Sequence, residues 1–114
     1  MIYRQLGSTG LKVSEIAMGC EGMTEENYSM CGKLFDFAEK NGVNYFDLYS
    51  SDPDLRKAVG QALAKRREKF IIQSHLCSIW KDGQYQRTRN LDEVKKGFKE
   101  MMNLLNTDYI EVGM

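Results

Sequence analysis

Three side chains able to do acid–base chemistry stand at or just past the ends of apolar runs. Residues 41–51 read NGVNYFDLYSS; Val43, Tyr45 and Phe46 suit a buried strand, and Asp47 arrives where that strand would surface. A carboxylate there is either a solvated strand end or an active-site acid. His75, the only histidine, ends a second run, FIIQSHL, at residues 70–76. A lone imidazole fits a hydrogen-bonded structural place as readily as a catalytic one. Tyr49 adds a phenol two residues beyond Asp47, either leaning into a pocket or packing on the next helix, while Asp52 suits a helix cap. The three cysteines, Cys20, Cys31 and Cys77, are odd in number and far apart. They argue for reduced thiols, and against a disulfide scaffold, a zinc site or an iron–sulfur cluster within these residues.

The elements that must position these groups alternate in period. Residues 1–15 open with two short extended pieces around Gly7-Ser8-Thr9-Gly10, a hairpin signal. A short apolar run over 15–19 then ends in the small turn Gly19-Cys20-Glu21-Gly22. A helix is expected next, with Thr24 as N-cap, Glu25 and Glu26 in its first turn, and Tyr28, Cys31, Leu34, Phe35 and Ala38 on its inner stripe. Asn41-Gly42 stops it. After the strand over 43–49, Ser51 or Asp52 caps a second helix with Pro53 in its first turn and Leu55, Ala58, Val59, Ala62 and Leu63 buried. Lys65-Arg66-Arg67 is expected to close that helix as a solvated basic cluster. The third strand covers 70–76. A polar connection over 78–89 follows, carrying Arg87 and Arg89 near Trp80 and Tyr85, where they could face a ligand or a partner. A third helix over 91–105 turns Leu91, Val94, Phe98, Met101 and Leu105 inward, and residues 108–113 form a fourth strand.

Strands alternating with amphipathic helices pair in parallel through right-handed crossovers. The β-α-β-α-β-α-β order suits either an open doubly wound sheet or half of a (β/α)8 barrel. No GxGxxG or GxxxxGK[ST] follows a strand, which weakens the dinucleotide-fold and P-loop readings. In a barrel, sites gather at the C-terminal strand ends. Gly19, Asp47 and His75 all fall at such ends, which places them at one common mouth.

The motifs themselves resemble the aldo/keto reductase family. YRQLGSTGLKVSEIAMGCEG is similar to that family's opening hairpin and first strand, GVNYFDLY to its second strand ending in an Asp, REKFIIQSH to its third, and LNTDYIEVGM to its fourth. The order and spacing hold over essentially all 114 residues. HLCSIWKDGQYQRTR, with GCEG and FDLYSSDPDLR, resembles most a subgroup whose longer members carry a C-terminal ferredoxin-like iron–sulfur domain.

The resemblance implies an α/β, (β/α)8 TIM-barrel fold present as its N-terminal half, with a hairpin over about 2–13, four strands and three helices. It also implies an NAD(P)H-dependent oxidoreductase acting on a small-molecule carbonyl. Asp47 falls at the family's catalytic Asp. His75 falls at its Lys, Asp52 at its Tyr with Tyr49 nearby, and the family's His would lie beyond Met114. Three of the four are therefore replaced or absent. The Gly19-Cys20 turn and Asp47 are the parts expected to reach the nicotinamide of NADP(H) or NAD(H). A second reading is a non-catalytic barrel scaffold, a binding protein that has lost the Tyr and Lys.

Bulk properties limit the remaining classes. Sixteen basic residues balance sixteen acidic ones, so no net charge calls for nucleic acid or an anionic membrane. No apolar stretch nears the roughly 20 residues of a membrane span, and the opening residues, MIYRQLGSTG, lack the apolar core of a signal peptide. A cytoplasmic location is expected. A complete barrel takes roughly 250 residues, so Met114 is expected to be a truncation point, with open sheet edges available for self-association.

Overall fold

The computed structural model describes residues 1–23 and 25–114. An antiparallel hairpin, β1 (Tyr3–Gln5) and β2 (Lys12–Ser14), comes first. The parallel sheet contains β3 (Met18–Gly19), β4 (Tyr45–Leu48), β5 (Ile71–Ser74) and β8 (Val112–Gly113), in that spatial order. Three helices connect its strands: α1 (Cys31–Lys40), α2 (Pro53–Leu63) and α3 (Leu91–Leu105). A second hairpin, β6 (Ser78–Lys81) and β7 (Gln84–Arg87), stands between β5 and α3. The parallel strand order runs with the sequence, as in the first four units of a (β/α)8 barrel.

Alternation along the strands divides the sheet into a helix side and an open side. Phe46 and Leu48 of β4, with Ile72 and Ser74 of β5, are buried under the helices. Phe46 stacks on Phe35 of α1 at 4.3 Å between ring centroids, and Phe70 meets both rings edge-on. Tyr45, Asp47, Ile71 and Gln73 alternate to the other face and are only partly covered. The first hairpin closes the N-terminal end of this sheet. Asn44, just before β4, takes the Ser14 amide on its Oδ1 (2.7 Å) and donates from Nδ2 to the Lys12 carbonyl (2.9 Å).

Several local expectations hold and several do not. Gly42, with φ +76°, ends α1 in the left-handed region as expected. Asp52 caps α2, accepting from the amides of Asp54 (2.8 Å) and Leu55 (3.2 Å). The first helix, however, begins as a 3-10 segment (Glu25–Met30) and becomes α-helical only at Cys31; the expected cap Thr24 lies outside the described residues. The strands are shorter than their apolar runs. The supposed polar connection is largely the β6–β7 hairpin.

The basic cluster is also corrected, because α2 ends at Leu63 and its arginines are not solvated. Arg66 and Arg67 side chains are 17% and 14% exposed. Arg66 pairs with Asp36 and Glu39 of α1, and Arg67 grips Glu111 with both ends of its fork while donating to the Tyr109 carbonyl. Burial with partners, and not a helix-end charge effect, explains them.

On α3 the inward stripe is rotated from the expected one. Gly97, Met101 and Leu105 are buried, whereas Leu91 and Phe98 are exposed. The reason is the second hairpin. Ile79 of β6 packs so closely on Gly97 that a Cβ there would lie 2.9 Å from its Cγ2. Gly60 of α2 makes a similar approach to α3, its hypothetical Cβ only 2.6 Å from the Leu104 carbonyl oxygen. Backbone cannot move aside as a side-chain tip can. Gly60→Ala is therefore expected to lower stability by about 1–3 kcal/mol in urea denaturation, despite alanine's better helix propensity. Unchanged or increased stability would mean that α2 and α3 do not touch at this point.

Candidate functional site

The open face of the sheet carries a continuous polar network at its C-terminal end. The Tyr45 hydroxyl donates to Gln73 Oε1, and Gln73 Nε2 donates to Asp47 Oδ1 at 2.8 Å. Asp47 Oδ1 also lies 3.1 Å from His75 Nε2. These contacts follow from strand register. Asp47 stands directly opposite Gln73 in the β4–β5 pairing, and His75 lies two residues further along on the same face. An ionised carboxylate only accepts, so the His75 contact puts the imidazole proton on Nε2 and leaves Nδ1 for other contacts. The side chains of Asp47 and His75 are 34% and 24% exposed, at the edge of solvent and not sealed from it.

Tyr49 continues the network. Its ring meets His75 edge-on, 4.7 Å between centroids, and its hydroxyl is hydrogen-bonded to the Tyr85 hydroxyl from β7. Arg87, also on β7, donates from Nε to Tyr85 at 3.1 Å and from Nη2 to Tyr49 at 3.4 Å. Tyr49 lines the cavity at this end of the sheet, a space of about 680 Å³ bounded also by His75, Cys77, Ser78, Arg87, Thr88, Arg89 and Met114.

The structure thus brings Asp47, His75 and Tyr49 together. Gly19 sits beside them, paired in register with Asp47, and the Cys20 amide donates to the Asp47 carbonyl at 2.9 Å. The Cys20 thiol, however, points away into the core with 1% exposure. Only backbone at 19–20 is left to meet a ligand, and neither residue lines the cavity. Cys77 does, so the two thiols do not share a position at the mouth. Asp52 is committed to its helix cap. Among the described residues, no three His, Cys, Asp or Glu side chains converge as metal ligands would.

Four participants were not anticipated as site residues: Tyr45, Gln73, Tyr85 and, in its contact with two phenols, Arg87. The first two carry a signal in strand parity, each standing two residues before a recognised site residue. Tyr85 required the second hairpin, announced by Asp82-Gly83 between Trp80 and Tyr85. Both turn residues have positive φ, +54° and +74°, as a two-residue hairpin turn demands.

Compared with known proteins, no protein-family model matches the chain. An uncharacterized oxidoreductase of Bacillus subtilis, YqkF, is 30% identical over a 118-residue alignment, which takes in 98% of this chain and 38% of that protein. An aldo-keto reductase from Bacillus halodurans, in its holo form, superposes with a TM-score of 0.87 at 26% identity, over 99% of this chain and 39% of its own. Its fold is that of the aldo-keto reductase barrels. A further aldo-keto reductase, from Klebsiella pneumoniae and solved in complex with NADPH, matches at a TM-score of 0.74 and 15% identity, over 99% of this chain and 39% of that one. The resemblance read from the motifs is therefore supported by solved aldo-keto reductases and by an oxidoreductase. The chain spans about 38–39% of the length of these proteins. No helix among the described residues is long and apolar enough to cross a membrane.

Two ionisation predictions follow from these surroundings. The hydrogen bond with Tyr49 does most to favour the Tyr85 phenolate and lower its pKa; burial opposes it, and a hydrogen bond from Arg87 adds to the lowering. Tyr49 moves upward for the complementary reason, chiefly its bond to Tyr85. An alkaline absorbance titration is expected to show one phenol ionising below the usual value near 10, and Tyr49→Phe to move it back up. Superimposable curves for the two proteins would break the assignment. Burial, together with Cys31 and then Asp47, pushes Cys20 up to about 12, and burial pushes Cys31 up to about 11. At pH 8 the folded chain should expose a single rapidly reacting thiol, Cys77, and all three only after denaturation. Fast reaction of two or three thiols in the native chain would contradict that burial.

Proposed function

We propose that these residues form part of the active site of an NAD(P)H-dependent reductase of small carbonyl compounds. The observation that carries the reading is that His75, held by Asp47, lines one cavity with Tyr49 at the C-terminal end of a sheet like that of the aldo-keto reductases. The residues present fit a nicotinamide at that end. A Cβ placed on Gly19 or Gly22 would meet no atom within 4 Å, so the turn after β3 leaves room for a flat ring against backbone. When bound, the cofactor supplies the hydride. This chain holds the imidazole by its Nε2 through Asp47, and Asp47 is itself fixed by Gln73 and Tyr45. The cavity-lining phenol of Tyr49, hydrogen-bonded to Tyr85 and under the charge of Arg87, supplies the proton that a reduced carbonyl oxygen must take up. NADPH and NADH both remain candidates, and the nicotinamide complex of the Klebsiella reductase supports the former.

The finer resemblance, to the subgroup with a ferredoxin-like domain, belongs to the same proposal. Closely spaced cysteines in the reading frame after residue 114 would support it.

Fluorescence titration with NADPH and NADH, on this chain and on a protein spanning the whole barrel, is the direct test. The whole-barrel protein is expected to bind one of them saturably. Asp47→Asn and His75→Ala should each lower carbonyl-reduction kcat by at least about tenfold, with a much smaller change in cofactor affinity. Failure of the whole-barrel protein to bind either nucleotide would sink the reductase and favour the non-catalytic scaffold.

A further inference from the structure

The lining of the mouth cavity is one-sided in charge. Arg87 and Arg89 stand on its wall with His75, and among the described residues no side-chain carboxylate lines it. Nearby acids are already occupied elsewhere. Asp47 is bound to Gln73 and His75. Glu93 is held by Lys81 at 2.9 Å and by the Thr88 hydroxyl. Neither neutralises the arginines. Arg87 spends Nε and Nη2 on the two phenols and has no protein acceptor at Nη1, and among the described residues Arg89 has no hydrogen-bond or ion-pair partner at all. Elsewhere two partly buried arginines pair with acids, Arg66 with Asp36 and Glu39 and Arg67 with Glu111, whereas Arg87 and Arg89 are exposed at the cavity wall. Arg87 and Arg89 thus put two exposed guanidinium groups on one concave wall with no side-chain carboxylate facing them. Arginine is the side chain suited to holding an oxyanion in fixed orientation, because its planar fork matches carboxylate and phosphate oxygens.

We propose that Arg87 and Arg89 bind an oxyanionic group, carboxylate or phosphate, carried by the carbonyl substrate. The proposal rests on the reductase reading for the word substrate, and on the cavity alone for the anion. Geometry limits the substrate's shape. Arg87 reaches the Tyr49 hydroxyl, and the Tyr49 ring touches His75, so anion and reacting carbonyl are separated by roughly the width of one aromatic side chain. A short acid or phosphate ester with its carbonyl a few bonds away fits, whereas a long neutral aldehyde gains nothing from the arginines.

His75 lines the cavity, and its imidazole proton resonances in the whole-barrel protein are assigned by their loss in His75→Gln. Inorganic phosphate is titrated into the whole-barrel protein at fixed pH and fixed ionic strength, with the His75 resonances followed by NMR. A saturable shift is expected, weakened by at least about fivefold in Arg89→Gln and partly restored in Arg89→Lys. Arg89 is the decisive variant because it is exposed and, among the described residues, makes no hydrogen bond or ion pair; Arg87→Gln adds the effect of freeing the phenols. A shift that never saturates, or that is the same in Arg89→Gln, overturns the proposal.

A second arm separates the substrate's anion from the cofactor's phosphates. NADPH is titrated with and without saturating phosphate. Unchanged NADPH affinity supports a substrate subsite, and direct competition overturns it by giving the arginines to the nucleotide. Saturable, Arg89-dependent phosphate binding in a protein that binds no nicotinamide would support the anion subsite and remove the reductase reading instead.

Discussion

The stacking of Phe46 on Phe35, with Phe70 edge-on to both, decides which way every side chain on two strands points. A strand can bury one face only, and once Phe46 and Leu48 are committed to the helices, Tyr45, Asp47 and Tyr49 must leave from the other side. The same holds for Ile72 and Ser74 of β5, which send Gln73 and His75 outward. A slip of one residue in β4 would drive Asp47 into the aromatic cluster and expose Phe46. An unpaired carboxylate has no affordable place there. The polar network is thus a consequence of core packing, and its hydrogen bonds then refine a direction already chosen.

A second constraint fixes the wall of the site. Arg56 lies in α2 with only 3% exposure and donates from Nε to the Ser50 carbonyl at 3.1 Å and from Nη2 toward that of Ser78 at 3.5 Å. Burial pushes it down to about 10, with Glu100 and Asp52 acting in the opposite sense, which leaves it charged at neutral pH. One cation therefore ties together the loop after β4 and the start of β6. Ser51 adds a buried bond from its hydroxyl to the Ile79 carbonyl at 2.8 Å. The two loops that carry Tyr49 and the second hairpin are joined by Arg56 and Ser51, neither of which lines the cavity.

Much of this was legible in the sequence because it depends on local signals. The strand–helix alternation, the Asp52 cap, the Gly42 stop and the shared mouth placement of Asp47 and His75 needed only periodicity and capping chemistry. What escaped had a tertiary origin or a weak local one. The α3 stripe is rotated because Gly97 admits Ile79, a contact between elements that no helical wheel contains. Arg66 and Arg67 read as solvated because their partners, Asp36, Glu39 and Glu111, are about 30 and 44 residues away in sequence. The β6–β7 hairpin did carry a signal in Asp82-Gly83. Its flanks, Ser-Ile-Trp-Lys and Gln-Tyr-Gln-Arg, are too polar to read as buried strands, and they are in fact mostly exposed.

That hairpin changes how positive charge reaches the phenols. The family resemblance leads one to look for a lysine at the end of the third strand, where His75 stands, and a tyrosine where Asp52 caps a helix. Here the phenol next to the imidazole is Tyr49, and the cation beside it is Arg87, delivered from β7 across Tyr85. The exchange is not neutral. A lysine can give up its proton and take part in a relay, whereas an arginine stays charged and acts as a fixed donor. A lysine on a central strand would also be as rigid as the sheet. Arg87 is only as well placed as the hairpin that bears it, and the hairpin is held by Ser51, Arg56 and the fit of Ile79 on Gly97. Side chains far from the acid–base groups therefore govern whether a charge stands beside Tyr49 at all.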